Sequence, residues 1–235
     1  MVYVYAITEP DAEAPDATGF EGAPLRMVRA GAVAAIASDL DGRVEPGEST
    51  LWEHEQVVEE LMSAGALLPM RFGSTLADEV ALEAMLADRE EELARGLARV
   101  RGAVELGVRA LREPEDEPGA EIPAPADAEA GAAAGTEAEA GAGTTYLLRR
   151  LGRSRRSEEL ADEVHAPLEL LARESRRRVV TVPRIVLTGA YLIDERRVEE
   201  FRAMAEELDE RIAEAAILCT GPWPPYSFAP GEPVS

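Results

Sequence analysis

Residues 113–143 constrain this 235-residue chain more than any other stretch, because they cannot join a core. They carry nine acidic side chains and no basic one, and are otherwise mostly alanine, glycine and proline. Such a composition buries too little apolar area to offset the entropy of ordering the backbone. Gly131, Gly135 and Gly141 interrupt the Ala-Glu runs that could otherwise turn helical. The segment therefore reads as a disordered acidic linker, and any fold has to come from the flanking blocks, residues 1–112 and 144–235.

The first block alternates strand and helix signals. Val2–Thr8, rich in tyrosine and β-branched residues, predicts a strand. Residues 9–24 predict a long loop, and Leu25–Ala30 and Ala32–Ser38 a hairpin about Gly31. Thr50-Leu51-Trp52-Glu53 has the spacing of a capping box. Leu51, His54, Val58 and Leu61 follow at helical steps up to Gly65. Pro69 lacks a ladder donor, which sends the apolar run Ala66–Met70 to a sheet edge or strand end. Arg71-Phe72-Gly73-Ser74 forms a turn. One helix is expected over about 78–100, with Leu82, Met85, Leu86, Leu93, Leu97 and Val100 inward, and Val104–Val108 closes the block as a half-buried strand. This order predicts an α+β fold, a ferredoxin-like sandwich with its helices on one face of a mainly antiparallel sheet.

The second block opens on an arginine-crowded helical segment that includes Arg149, Arg150 and Arg153. It continues through Leu160, Val164, Leu168 and Leu171 as a long arm that Pro167 should kink. Arg173 and Arg176–Arg178 are placed at that helix end, where cations suit the helix dipole. A strand over Ile185–Ile193, a helix capped by Asp194 and a strand over Ala215–Thr220 make a β-α-β unit. Gly221-Pro222-Trp223-Pro224-Pro225-Tyr226-Ser227-Phe228 follows as a proline-stiffened aromatic tail.

Charge and composition exclude several functions. A net charge of −22 opposes non-specific nucleic-acid binding and anionic membrane surfaces. All 24 basic residues are arginine, which removes Schiff-base and P-loop lysine chemistry. His54, His165 and Cys219 are too few and too dispersed for a zinc site. Both histidines sit on apolar helix stripes, where a hydrogen-bonded core role is expected. No nucleophile elbow or dinucleotide-binding glycine pattern occurs outside noise in the acidic segment. The single cysteine fits a reducing compartment, and no apolar run approaches the ~18 residues of a membrane span, so a soluble intracellular protein without cofactor is expected.

Three stretches remain as candidate partner contacts. Arg71-Phe72-Gly73 is either a turn or a recognition corner. Arg149, Arg150 and Arg153 are either a solvated helix face or a docking patch for an acidic partner. Trp223, Pro224, Pro225, Tyr226 and Phe228 are either a lid on the core or a rigid aromatic platform.

A helix with an inward histidine, then Leu67-Leu68-Pro69-Met70-Arg71-Phe72-Gly73, resembles the N-terminal half of the gas vesicle GvpF/GvpL family. The Gly221–Phe228 tail is similar to that family's C-terminal signature. The resemblance covers roughly residues 1–112 and 144–229, and the acidic insert departs from it. It implies the same α+β fold and an accessory, non-enzymatic role in gas vesicle nucleation or assembly. It further implies binding to the hydrophobic shell protein and other gas vesicle accessory proteins, location at the gas vesicle, and functional weight on Leu68, Pro69, Arg71, Phe72, Gly73 and Gly221–Phe228. The competing reading is a small-molecule sensor or enzyme on ferredoxin-like halves.

Overall fold

The computed structural model describes residues 1–12, 17–63, 65–112, 155–182 and 185–231. The expected acidic linker and the arginines at 149, 150 and 153 lie outside them.

Two antiparallel sheets organise the chain, as an α+β fold requires. The first contains β1 (Val2–Thr8), β2 (Arg26–Ala30), β3 (Val33–Asp39), β4 (Leu67–Pro69) and the short β5 (Thr75–Leu76). Its order is β2-β3-β1-β4, with β5 also paired to β1. Pro69 sits on the edge strand, as its missing donor demands. Every residue of β1 is buried, because helices cover both faces of this sheet. Val2, Val4 and Ile7 pack with Leu82, Leu86, Leu93 and Leu97 of α2 (Glu79–Asp88) and α3 (Glu90–Val100). Tyr3, Tyr5 and Ala6 pack with Val57, Val58 and Leu61 of α1 (Glu48–Met62). The expectation of helices on one face is thus corrected: β1 alternates, but both sets of side chains have a layer to enter.

Three local expectations also change. Helix α1 starts at Glu48 with Gly47 as its N-cap, so Thr50 acts from inside the first turn, accepting from the Gly47 N–H at 3.0 Å. The inward positions become His54, Val57, Val58 and Leu61; Leu51 and Trp52 point to solvent. The single helix over 78–100 is two, parted at Arg89, whose ψ of 11° is not helical. Asp78 caps the first of them by accepting from Ala81 N–H at 2.8 Å.

The second sheet holds β6 (Ala103–Arg112), β7 (Glu174–Val182), β8 (Ile185–Asp194) and β9 (Ala215–Trp223), in the order β7-β8-β6-β9. A helix over 155–169, α4, and α5 (Val198–Arg211) complete it. Their apolar faces (Leu160, Val164 and Leu168; Phe201, Ala205 and Leu208) share one cluster with Leu106, Val108, Leu187 and Tyr191. Strand–helix–strand–strand–helix–strand with both helices on one face is the ferredoxin-like plan, and it occurs here in the later part of the chain. The first sheet repeats the strand order, but only a 3₁₀ turn, Phe20–Gly22, stands between β1 and β2. Strand β6, expected to close the first block, is instead central in the second sheet, between β8 and β9. The helical arm with a β-α-β unit is therefore corrected to this six-element arrangement.

Arg176–Arg178 lie in β7 rather than at a helix end, because β8 offers a complete ladder: Arg176 pairs with Ala190 and Arg178 with Thr188. Helix α4 carries Pro167 two residues before its end. Asp194 does not cap α5, whose N-cap is Arg197. Its carboxylate is taken by Arg173, and that bond holds it below the usual carboxylate range. Arg173 also donates to the carbonyls of Arg99 (3.1 Å) and Arg101 (2.7 Å), fastening the start of β7 to the end of α3.

Candidate partner-binding site

The two stretches singled out at 67–73 and 221–228 meet in space, and His54 joins them. Helix α1 sets His54 inward, with no exposed surface. Its Nε2 lies 3.0 Å from the Met70 carbonyl, which can only accept, so Nε2 carries the proton. Nδ1 then accepts from the Tyr3 hydroxyl at 3.0 Å. That hydroxyl in turn accepts from the Gly73 N–H at 2.9 Å. Burial holds the imidazole pKa below its ordinary value, against a smaller upward push from the Met70 bond. A neutral imidazole with both nitrogens engaged has no lone pair to offer a metal or a substrate proton.

Aromatic rings enclose this histidine. Tyr5 stacks on it at 5.8 Å between centroids, and Tyr3 and Phe72 meet it edge-on at 5.7 and 6.0 Å. Phe72 is thus a half-buried wall of the cluster. Gly73 takes a φ of +88°, where a side chain would be strained, to turn its N–H back to Tyr3. Of the three corner residues only Arg71 extends a side chain outward.

The tail is mostly a lid. Strand β9 runs through a cis Gly221–Pro222 bond to Trp223, and Pro224 and Pro225 are buried. Tyr226 reaches into the aromatic cluster, its hydroxyl 3.3 Å from His54 Nε2 and hydrogen-bonded to Glu55. Burial, then Glu55, pushes the Tyr226 hydroxyl well above the usual phenol range; burial likewise raises Glu55. Phe228 is fully buried against Leu93, Leu97 and Leu192, and Arg176 lies over its ring at 5.3 Å. Ser227 donates from its N–H (2.8 Å) and hydroxyl (2.6 Å) to Glu105 on β6, whose carboxyl is raised by burial against those bonds. Arg99 and Arg89 bind the carbonyls of Phe228 and Gly231. Only Trp223, 44% exposed, still faces solvent as a platform residue would.

Arg71 and Tyr226 therefore line one cleft, with Pro69, Met70, Arg89 and Pro230, while Trp223 stands apart at the end of β9. His165 is likewise internal, 2.8 Å from the Tyr191 hydroxyl. Among the described residues no group of three or more His, Cys, Asp or Glu is placed to hold a metal ion, and no helix is long and apolar enough to cross a membrane. Sequence reasoning missed the role of Glu105 and placed Arg173 only as a cation at a helix end. The available signal for Glu105 was a carboxylate alternating with apolar residues in a half-buried strand.

Known proteins resemble the chain over nearly its whole length. The family described as gas vesicle synthesis protein GvpL/GvpF matches residues 1–230. Gas vesicle protein L of Streptomyces sp. is 32% identical, covering 97% of this chain and 92% of its own length. Gas vesicle protein F of the same organism is 29% identical, covering 96% and 98%. The crystal structure of GvpF from Anabaena sp. superposes with a TM-score of 0.76 at 20% identity, covering 98% of this chain and 96% of that one, and so shares the fold.

Proposed function

The chain belongs to the gas vesicle GvpL/GvpF family, and on that premise we propose that it is an assembly factor that holds the hydrophobic shell protein while vesicles are nucleated and extended. Membership itself implies a role in gas vesicle formation. The finer reading rests on one observation: ahead of a lid of buried prolines and rings, Trp223 faces outward at the end of β9. A shell protein that faces gas is very apolar and would aggregate before assembly. A fixed indole loses little entropy when such a surface covers it. The −22 charge of the carrier opposes self-association of the complex.

Trp223→Ala separates this reading from a structural role. Because the ring is half exposed and its Nε1 bond to Thr220 is long at 3.4 Å, stability should change by no more than about 1 kcal/mol. Affinity for purified shell protein should fall by about 2 kcal/mol, the scale of an aromatic hot spot. Thermal melting and a binding titration on one preparation check both. Unaltered affinity in the folded variant would sink the proposal for this residue.

A further inference from the structure

Among the described residues, the ferredoxin-like sheet has α4 and α5 on one face, and only half of its other face is covered. Register places the outer side chains in rows. Glu174, Leu192, Glu105 and Trp223 form one row across the four strands, and Arg178, Thr188, Arg109 and Leu218 another. At the first row Leu192 enters the core beside Phe228, and Glu105 holds Ser227. At the second no helix follows among the described residues. Arg178 and Arg109 are exposed, Thr188 is half-buried and Leu218 is 49% exposed. Between the rows Gly107 keeps the floor flat, since a Cβ there would meet the Thr220 hydroxyl at 2.9 Å.

This face also carries two exposed arginines whose charge no carboxylate of the described residues pairs. The chain has 46 acidic residues for 24 arginines, and Arg26, Arg89, Arg101, Arg156, Arg173 and Arg177 all have carboxylate partners. Arg109 and Arg178 form no ion pair among the described residues. They lie two strands apart, about 10 Å at the backbone, with only Thr188 between. A carboxylate seated over Thr188 could take both guanidiniums, while apolar side chains towards β9 reach Leu218 and Trp223.

We propose that the open face of the second sheet, centred on Arg109, Arg178 and Leu218, docks an acidic amphipathic helix of another gas vesicle protein. The helix would supply the layer that this face of the sheet lacks among the described residues. This inference rests on the accessory role proposed above and assigns it a surface.

Vesicle formation and cross-linking in a gas-vesicle-forming host test it together. The host lacking this chain is complemented with the wild type or with Arg109→Glu/Arg178→Glu, both checked for equal accumulation and equal melting temperature. Vesicle yield is expected to fall at least tenfold with the double reversal. A photo-crosslinking phenylalanine analogue at Ala216, on the same face, is expected to capture another gas vesicle protein, and the same analogue at Glu163 on α4 is not. Yield within twofold of wild type overturns the surface and leaves the accessory role standing. Capture of a second copy of this chain overturns it in favour of self-association. If loss of the whole chain leaves yield unchanged, the accessory role fails and the inference falls with it.

Discussion

Replacing Phe228 with alanine should cost about 3–5 kcal/mol of folding stability, the range for emptying a packed phenylalanine site. The ring has no exposed surface and belongs to one core cluster with Leu93 and Leu97 of α3 and Leu192 of the second sheet. Truncation would leave a void between elements whose backbones are held elsewhere. Arg173 fixes the end of α3 to the start of β7, and Glu105 anchors Ser227, so collapse onto the void is restricted. Arg176 would also lose the ring it covers, a smaller effect of about 0.5–1 kcal/mol at such a partly exposed site. Phe228→Leu keeps most of the volume and should cost less than half as much. Chemical denaturation of the three proteins measures this. A loss below 1 kcal/mol for the alanine variant would mean that the tail does not close the core.

That expectation shows what the sequence could and could not reveal. Proline stiffness and aromatic content identified 221–228 as special, yet the choice between lid and platform depended on where the chain stood after β9. Here it resolves residue by residue, with Phe228 and Tyr226 turned inward and Trp223 outward. Strand and helix types were mostly readable because periodicity is local: β1 and β8, and the apolar stripes of α3 and α5, follow from spacing alone. Partnership between strands was not readable. Whether β6 joins β1 or β8 is decided by surfaces distant in sequence, and the acidic stretch after Arg112 suggested a boundary where the sheet has none. Arg176–Arg178 misled for a related reason, since a strand alternates its faces and can send Arg177 to Asp162 on α4 while Arg176 covers Phe228. The onset of α1 lies at Gly47 rather than Thr50, and Leu51, expected inward, faces solvent.

His54 carries the second large effect, because it is the polar centre of an otherwise aromatic core. His54→Leu keeps comparable apolar bulk but leaves the Met70 carbonyl without its donor and the Tyr3 hydroxyl without its acceptor. Orphaning buried groups costs about 1–3 kcal/mol each, so a loss of about 2–6 kcal/mol is expected at pH 8. The same residue should make stability fall with acid. Burial depresses its folded-state pKa below the ordinary value of about 6.5, so the unfolded chain binds the proton first as pH drops. The stabilisation is complete above about pH 6.5 and is lost as pH falls through the folded pKa. His165, also depressed chiefly by burial, adds a contribution of the same sign, whereas Glu55 and Glu105, raised by burial, act oppositely at the acid end of the range. Comparing wild type with the variant removes what they share. The gap between the two proteins should therefore be widest near pH 8 and narrow towards pH 5, as the wild type alone gives up its neutral imidazole. Urea titrations at pH 8, 6.5 and 5 provide the measurement. A gap that stays constant with pH would mean that His54 does not titrate differently in the folded and unfolded chains, and the hydrogen-bond assignment made for its ring would have to be withdrawn.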